Sequence, residues 1–122
     1  MNQADNNAEK LSKSHLVQLE AKKLQIMLVK IVEALNPRKI ILFGSRAEWK
    51  ATDKSDIDLL VIRDSPIDWK IKSKLSLEVS RPVGVPVQLI PITNDFYEET
   101  KDVIGGIAYP ATKYGVVIYE KS

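Results

Sequence analysis

The chain has 122 residues, 44% apolar and 28% charged, with a net charge of +2. That length builds one ordinary core, and the balance is that of a globular protein rather than a disordered or fibrous one. It contains no cysteine, which excludes a disulfide framework and a thiolate zinc site and suits a reducing compartment.

No apolar run approaches the ~18 residues of a membrane span. The polar stretch from Met1 to Lys10 has no signal-peptide core. The expectation is a cytoplasmic protein with no membrane association. A charge of +2 is far from the clustered basic footprint of a nucleic-acid binder, so nucleic acid is not expected as a direct substrate. Lys22-Lys23 and the basic 70–74 stretch read as solvated helix faces.

Residues 1–7, rich in Asn, are expected to be frayed. From Ala8 to Leu35 there is neither Pro nor Gly. Val17, Ala21, Leu24, Leu28, Ile31 and Leu35 recur in alternating steps of four and three, which marks one face of a helix. Asn36-Pro37 ends it, because the residue before proline is pushed out of the helical region. Lys39 to Phe43 is short, β-branched and apolar, and reads as a buried strand. A polar loop leads to a second strand, Asp56 to Ile62. Its apolar character on both faces predicts a central place in the sheet.

Ser65 suits a helix N-cap, Pro66 the first helical position and Asp68 the third. Ile67, Ile71, Leu75 and Val79 then form the buried stripe, with Trp69 half-buried, and Arg81-Pro82-Val83-Gly84 closes the helix. Pro86 to Ile92 is the third strand, and Pro91 assigns it to an edge or a bulge. Thr93-Asn94-Asp95 caps a helix reaching about Ile104, broken by Gly105-Gly106. Tyr109 to Tyr114 forms a short helix closed by Gly115, and Val116 to Tyr119 a last strand. This order predicts an α/β (α+β) fold: a small mixed sheet of about four strands with helices packed on it, residues 1–122 forming a single domain.

The chemistry concentrates in two of these strands. Asp56 and Asp58, two apart in a strand, point to the same face about 6.5–7 Å from each other. Two such carboxylates repel unless a cation lies between them, and oxygen ligands suit Mg²⁺ or Mn²⁺. Ile57, between them, faces the core. A bare Asp-x-Asp is more often a solvated strand end, and the EF-hand pattern does not continue here. Gly44-Ser45, directly after the first strand, changes that balance. Glycine lets the backbone approach a ligand, and turn amides bind phosphate oxygens. Ser45 adds a hydroxyl and Arg46 a fixed charge. Neither the dinucleotide-binding glycine pattern nor a P-loop is present.

An apolar residue, Gly-Ser, ten intervening residues and then Asp-apolar-Asp-apolar, each half on a predicted strand, resembles the DNA polymerase beta-like nucleotidyltransferase superfamily. Within it, Phe43-Gly44-Ser45-Arg46-Ala47 and Ser55-Asp56-Ile57-Asp58-Leu59 resemble the minimal nucleotidyltransferase (MNT) family. Leu35-Asn36-Pro37-Arg38-Lys39-Ile40, Gly84-Val85-Pro86-Val87, Ile107-Ala108-Tyr109-Pro110-Ala111 and Gly115-Val116-Val117-Ile118-Tyr119 extend the likeness over about residues 28–120. The resemblance implies a polymerase beta-like fold with ATP as substrate and Mg²⁺ (or Mn²⁺) as cofactor. Gly44, Ser45 and Arg46 would then bind the nucleotide, and Asp56 and Asp58 would be the catalytic metal ligands. A hydroxyl attacks the α-phosphate and pyrophosphate leaves. Family members are antitoxins paired with HEPN-domain ribonucleases, and several adenylylate a tyrosine of that partner.

The sequence departs from the family pattern at the third strand, where a third carboxylate is expected and Gln88 stands. A neutral amide cannot act as a general base, and losing a positioned base costs about 10²–10⁴ in rate. Asp95 and Glu78 are the nearest acids in sequence. Trp49 is read as a packing or partner contact rather than an adenine platform, and His15 carries no assigned role. With so small a site, a partner protein or a second copy is needed to complete an acceptor pocket. Two functions follow: an adenylyltransferase acting on a partner hydroxyl, or a weakened antitoxin that neutralises its partner by complex formation.

Overall fold

The computed structural model describes residues 21–44 and 55–122. Along them run α1 (Ala21–Leu35), β1 (Lys39–Phe43), β2 (Ile57–Arg63), α2 (Trp69–Val83), β3 (Val87–Thr93), α3 (Asn94–Thr100), α4 (Ala108–Tyr114) and β4 (Val116–Glu120). The strands form one sheet in the order β3-β2-β1-β4. β1 is antiparallel to both β2 and β4, whereas β2 and β3 are parallel, and α2 provides the crossover that a parallel pair requires. The mixed four-stranded sheet agrees with the expected α+β architecture. No described helix is long and apolar enough to cross a membrane.

Alternation along the strands divides the core in two. On the first face, Ile40, Leu42, Ile57, Leu59, Val61, Val87 and Leu89 meet Leu24, Met27, Leu28, Ile31 and Leu35 of α1 and Leu75, Val79 and Val83 of α2. On the second face, Ile41, Leu60 and Ile62 meet Tyr97 of α3 and Ala108 and Ala111 of α4. β2 is covered on both sides, which is why its run from Leu59 to Ile62 is continuously apolar. Pro91 lies in the edge strand β3, as its missing N–H requires.

The chain breaks follow local chemistry. Asn36 takes a left-handed φ of 45° and its N–H still bonds Val32 O at 2.9 Å, closing α1. Gly84, at φ 89°, caps α2 by donating to Ser80 O, the conformation glycine adopts without strain. Pro82 lies inside the last turn of α2. Two serines tie that turn to β3. Val87 N–H donates to Ser80 Oγ at 2.8 Å, Ser80 Oγ donates to Ser76 O at 2.6 Å, and Ser76 Oγ donates to Val87 O.

Several expectations are corrected. The N-cap of α2 is Asp68, whose side chain accepts from Lys70 N–H, not Ser65; Arg63 holds Ser65 O and Pro66 O instead, keeping that stretch outside the helix. The helix therefore starts three residues later, and the buried part of its stripe begins at Leu75 and runs through Val79 to Val83. Ile71 is left 54% exposed and Trp69 70% exposed, against the expected buried and half-buried positions. α3 stops at Thr100 rather than near Ile104. Val103 and Ile104 are exposed and offer no apolar stripe to extend it, while the Thr100 hydroxyl is turned back onto Phe96 O. Val17, Trp49, His15 and the start of the first helix lie outside the described residues.

Gly115 is required for space. A Cβ there would fall 2.3 Å from Ala111 O, 2.7 Å from Ile41 Cγ2 and 2.8 Å from Leu42 O. Backbone oxygens cannot swing away, so α4 docks on β1 only through a bare backbone at this position. Gly115→Ala is expected to destabilise the fold by about 2–3 kcal/mol, the scale of overpacking, read as a lowered urea midpoint. An unchanged midpoint would contradict this docking.

Candidate active site

The register between strands assembles the candidate residues at one end of the sheet. Phe43, the last residue of β1, pairs with Asp58, and Asp58 pairs on its other side with Gln88 of β3. Three neighbouring strands thus place Gly44, Asp58 and Gln88 at one corner. Asp58 shares its face of β2 with Leu60 and Ile62, the face carrying α3 and α4, while Ile57 is fully buried on the opposite face. Asp56 lies just ahead of β2 and is exposed, one alternation from Asp58. Its neighbour Ile57 is anchored through an N–H bond to Pro86 O at 2.9 Å.

The tightest feature of the corner is between Gly44 and Asp58. Gly44 has φ +79°, and a Cβ on it would sit 2.6 Å from Asp58 Oδ2. The carboxylate therefore occupies the space a side chain would fill, beside the backbone of the turn. Burial holds the Asp58 carboxyl above the usual carboxylate range, and the neighbouring Asp56 charge raises it further. Among the described residues no ion pair is made with Asp56 or Asp58, and a divalent cation would supply the positive charge that two adjacent carboxylates lack. The residues present therefore fit a metal bound through oxygen.

Gln88 is exposed on β3, directly across from Asp58, and its position is fixed by the serine clamp on Val87. Among the described residues no group of three or more His, Cys, Asp and Glu side chains is placed to hold a metal. Asp95 follows the far end of β3, about 20 Å along the strand from Gln88, and is not brought to this corner. Ser45 and Arg46, the other proposed nucleotide contacts, lie outside the described residues.

A cleft of about 360 Å³ opens at the opposite end of the sheet, lined by Arg38, Lys39, Asp64, Tyr97, Glu98 and Lys121 among others. Several of its charged side chains already have partners. Arg38 pairs with Asp64, Lys39 lies 5.5 Å from the Tyr97 ring and Lys121 donates to Asn36. Volume there reflects a gap between strand ends, whereas among the described residues Asp58 and Asp56 have no ion-pair partner.

Because the folded state raises the Asp58 pKa, stability from this group is greatest below the ordinary carboxylate range and falls as pH rises through the folded value. At neutral pH in chelator-treated buffer, Asp58→Asn is expected to be the more stable protein. The gain is below about 1 kcal/mol for a partly solvated group. The difference should shrink as pH falls toward about 4. Urea midpoints across pH test this, and an Asn variant less stable at neutral pH would contradict it.

Residues 27–122 match the model of the polymerase beta nucleotidyltransferase family. A search of curated proteins gives no match. Among solved structures, a toxin–antitoxin crystal structure with AMP-PNP is 17% identical, with 97% of this chain and 74% of that one covered at a TM-score of 0.56. A candidate nucleotidyltransferase from Sulfolobus solfataricus is 18% identical, covering 94% and 88% at 0.53. A complex of tri-AMPylated Shewanella oneidensis HEPN toxin with its MNT antitoxin is 17% identical, covering 80% and 72% at 0.50. At these identities the structural likeness is one of fold. The family model spans both the Gly44 turn and the third strand, and this chain belongs to the polymerase beta nucleotidyltransferase family.

Proposed function

We propose that this protein is a metal-dependent nucleotidyltransferase that passes AMP from ATP to a hydroxyl of a HEPN-type partner, as the antitoxin of a cytoplasmic toxin–antitoxin pair. The observation that carries the reading is the Asp58 carboxylate seated over the positive-φ Gly44 turn, with Asp56 two residues away. The kind of molecule named for two structural neighbours, a toxin–antitoxin with AMP-PNP and an AMPylated HEPN toxin with its MNT antitoxin, supports the choice of nucleotide and partner.

In the proposed reaction the acceptor oxygen bonds to the α-phosphorus, the α–β phosphoanhydride bond breaks, and pyrophosphate leaves with its electron pair. Asp56 and Asp58 would hold Mg²⁺ or Mn²⁺, which when bound supplies Lewis-acid polarisation of a phosphoryl oxygen. Gly44 lets the nucleotide approach the backbone, with Ser45 and Arg46 extending that cradle. The acceptor's proton is not taken by Gln88, since an amide has no basic lone pair at neutral pH. It passes to water or to a group brought by the partner.

Gln88 favours a second reading. Lying in register with Asp58 where a base would serve, it fits a protein that neutralises its partner chiefly by forming a complex. The two readings separate in one experiment with α-labelled ATP, Mg²⁺ and the HEPN partner. Transfer predicts a labelled partner, loss of label with Asp56→Ala plus Asp58→Ala, and a gain of up to about 10²-fold with Gln88→Asp. No label from either the native protein or Gln88→Asp would contradict transfer. Retained neutralisation by the double Ala variant would then establish the complex reading.

A further inference from the structure

Two helices on opposite faces of the sheet present charge of opposite sign to solvent. Leu75, Val79 and Val83 bury α2 against the first face. At about 100° per residue, Lys70, Lys74, Leu77 and Arg81 fall on the reverse of that stripe, and all four are exposed. They follow one another at i, i+4, i+7 and i+11, a line about 16 Å long. Among the described residues, the three cations make no ion pair, side-chain hydrogen bond or ring contact. Glu78, to the side of the line, is the one acid of the helix. Leu77 is 64% exposed, and Trp69 projects into solvent beside Lys70, so the face is both basic and partly apolar.

α3 carries the opposite sign. Its buried residue is Tyr97, packed on the second face. Asp95 and Glu99, two before and two after Tyr97, lie about 160° around the helix from it and are exposed. Neither has an ion-pair partner among the described residues. Four residues separate them, about 6 Å, the same rise that separates Lys70 from Lys74. Phe96 beside them, and Val103 and Ile104 after them, are exposed. Because α2 and α3 cover opposite faces, the basic line and the acidic pair cannot meet within one molecule.

We propose that the outer face of α2 docks on the outer face of α3 of a second copy of this chain. Sign, spacing and exposed apolar side chains match, and both halves of the match are on the same chain. Lys70 and Lys74 would oppose Asp95 and Glu99, with Leu77 and Trp69 against Phe96 and the Val103-Ile104 pair. The two surfaces differ, so the contact is head-to-tail and builds rings or open chains rather than a twofold dimer. Lys70, in the first turn of the helix after β2, and Asp95, directly after β3, lie where those strands end. The contact is therefore centred away from Asp58 and is independent of the chemistry proposed there. Exposed ion pairs are individually weak and screened by salt, which makes the association reversible and salt-sensitive.

The test is sedimentation velocity of the full-length protein from about 10 to about 500 μM, the range of weak contacts. It is run at about 10 mM and about 1 M sodium chloride, where screening lengths are about 30 Å and about 3 Å. At low salt the mass should exceed that of the monomer and grow with concentration; at high salt it should return to the monomer. One variant reverses the basic line (Lys70→Glu, Lys74→Glu, Arg81→Glu) and another the acidic pair (Asp95→Lys, Glu99→Lys). Each alone should be monomeric at low salt, with a urea midpoint near native. Mixed, they should associate again, since each reversed face then finds its reversed counterpart and each native face its native one. A native protein that stays monomeric at low salt, or associates equally at high salt, would overturn the proposal. So would native-like association of either variant alone, or two folded variants that stay apart when mixed.

Discussion

The structure depends on the pairing of β1 with β2. That antiparallel register sets Phe43 opposite Asp58, and the next residue, Gly44, leaves the space into which the Asp58 carboxylate projects. A shift of one residue would send Asp58 to the face occupied by α1 and α2 and bring Ile57 into the site. The register is held by burial, because β2 is sealed on both faces and each of Leu59, Leu60, Val61 and Ile62 is within 1% of fully buried. The same apolar run that forms the core therefore aims the carboxylate.

The two faces of the sheet do different work. α1 and α2 cover the first face with long apolar side chains. The second face is covered by two seven-residue helices, α3 and α4, whose buried residues Tyr97, Ala108 and Ala111 pack on Ile41, Leu60 and Ile62. Among the described residues, helices that short do not cover the start of β2 and β3, where Asp58 and Gln88 emerge. A partly buried carboxylate with a raised pKa and a second carboxylate nearby is a destabilising feature at neutral pH.

Much of this was legible in the chain. The apolar run after Asp58 gave the central strand, Pro91 the edge strand, and Gly84 and Gly115 the helix ends. Gln88 lies on β3 in register with Asp58. What was not legible depended on contacts between distant residues. Ser65 looked like a cap, but Arg63 draws the carbonyls of Ser65 and Pro66 away, so Asp68 takes that role and Trp69 and Ile71 turn outward. The end of α3 was misplaced because Gly105-Gly106 was the visible breaker, while the helix had already run out of buried partners.

The central claim is that the Gly44–Asp58 corner holds a metal-bound nucleotide. The most direct measurement is a crystal structure of the protein with Mg²⁺ and a non-hydrolysable ATP analogue. The expected result is a metal ion liganded by Asp56 and Asp58, with phosphates over the Gly44 turn. Nucleotide bound in the cleft lined by Arg38 and Tyr97, or carboxylates left without metal while nucleotide is bound elsewhere, would contradict it.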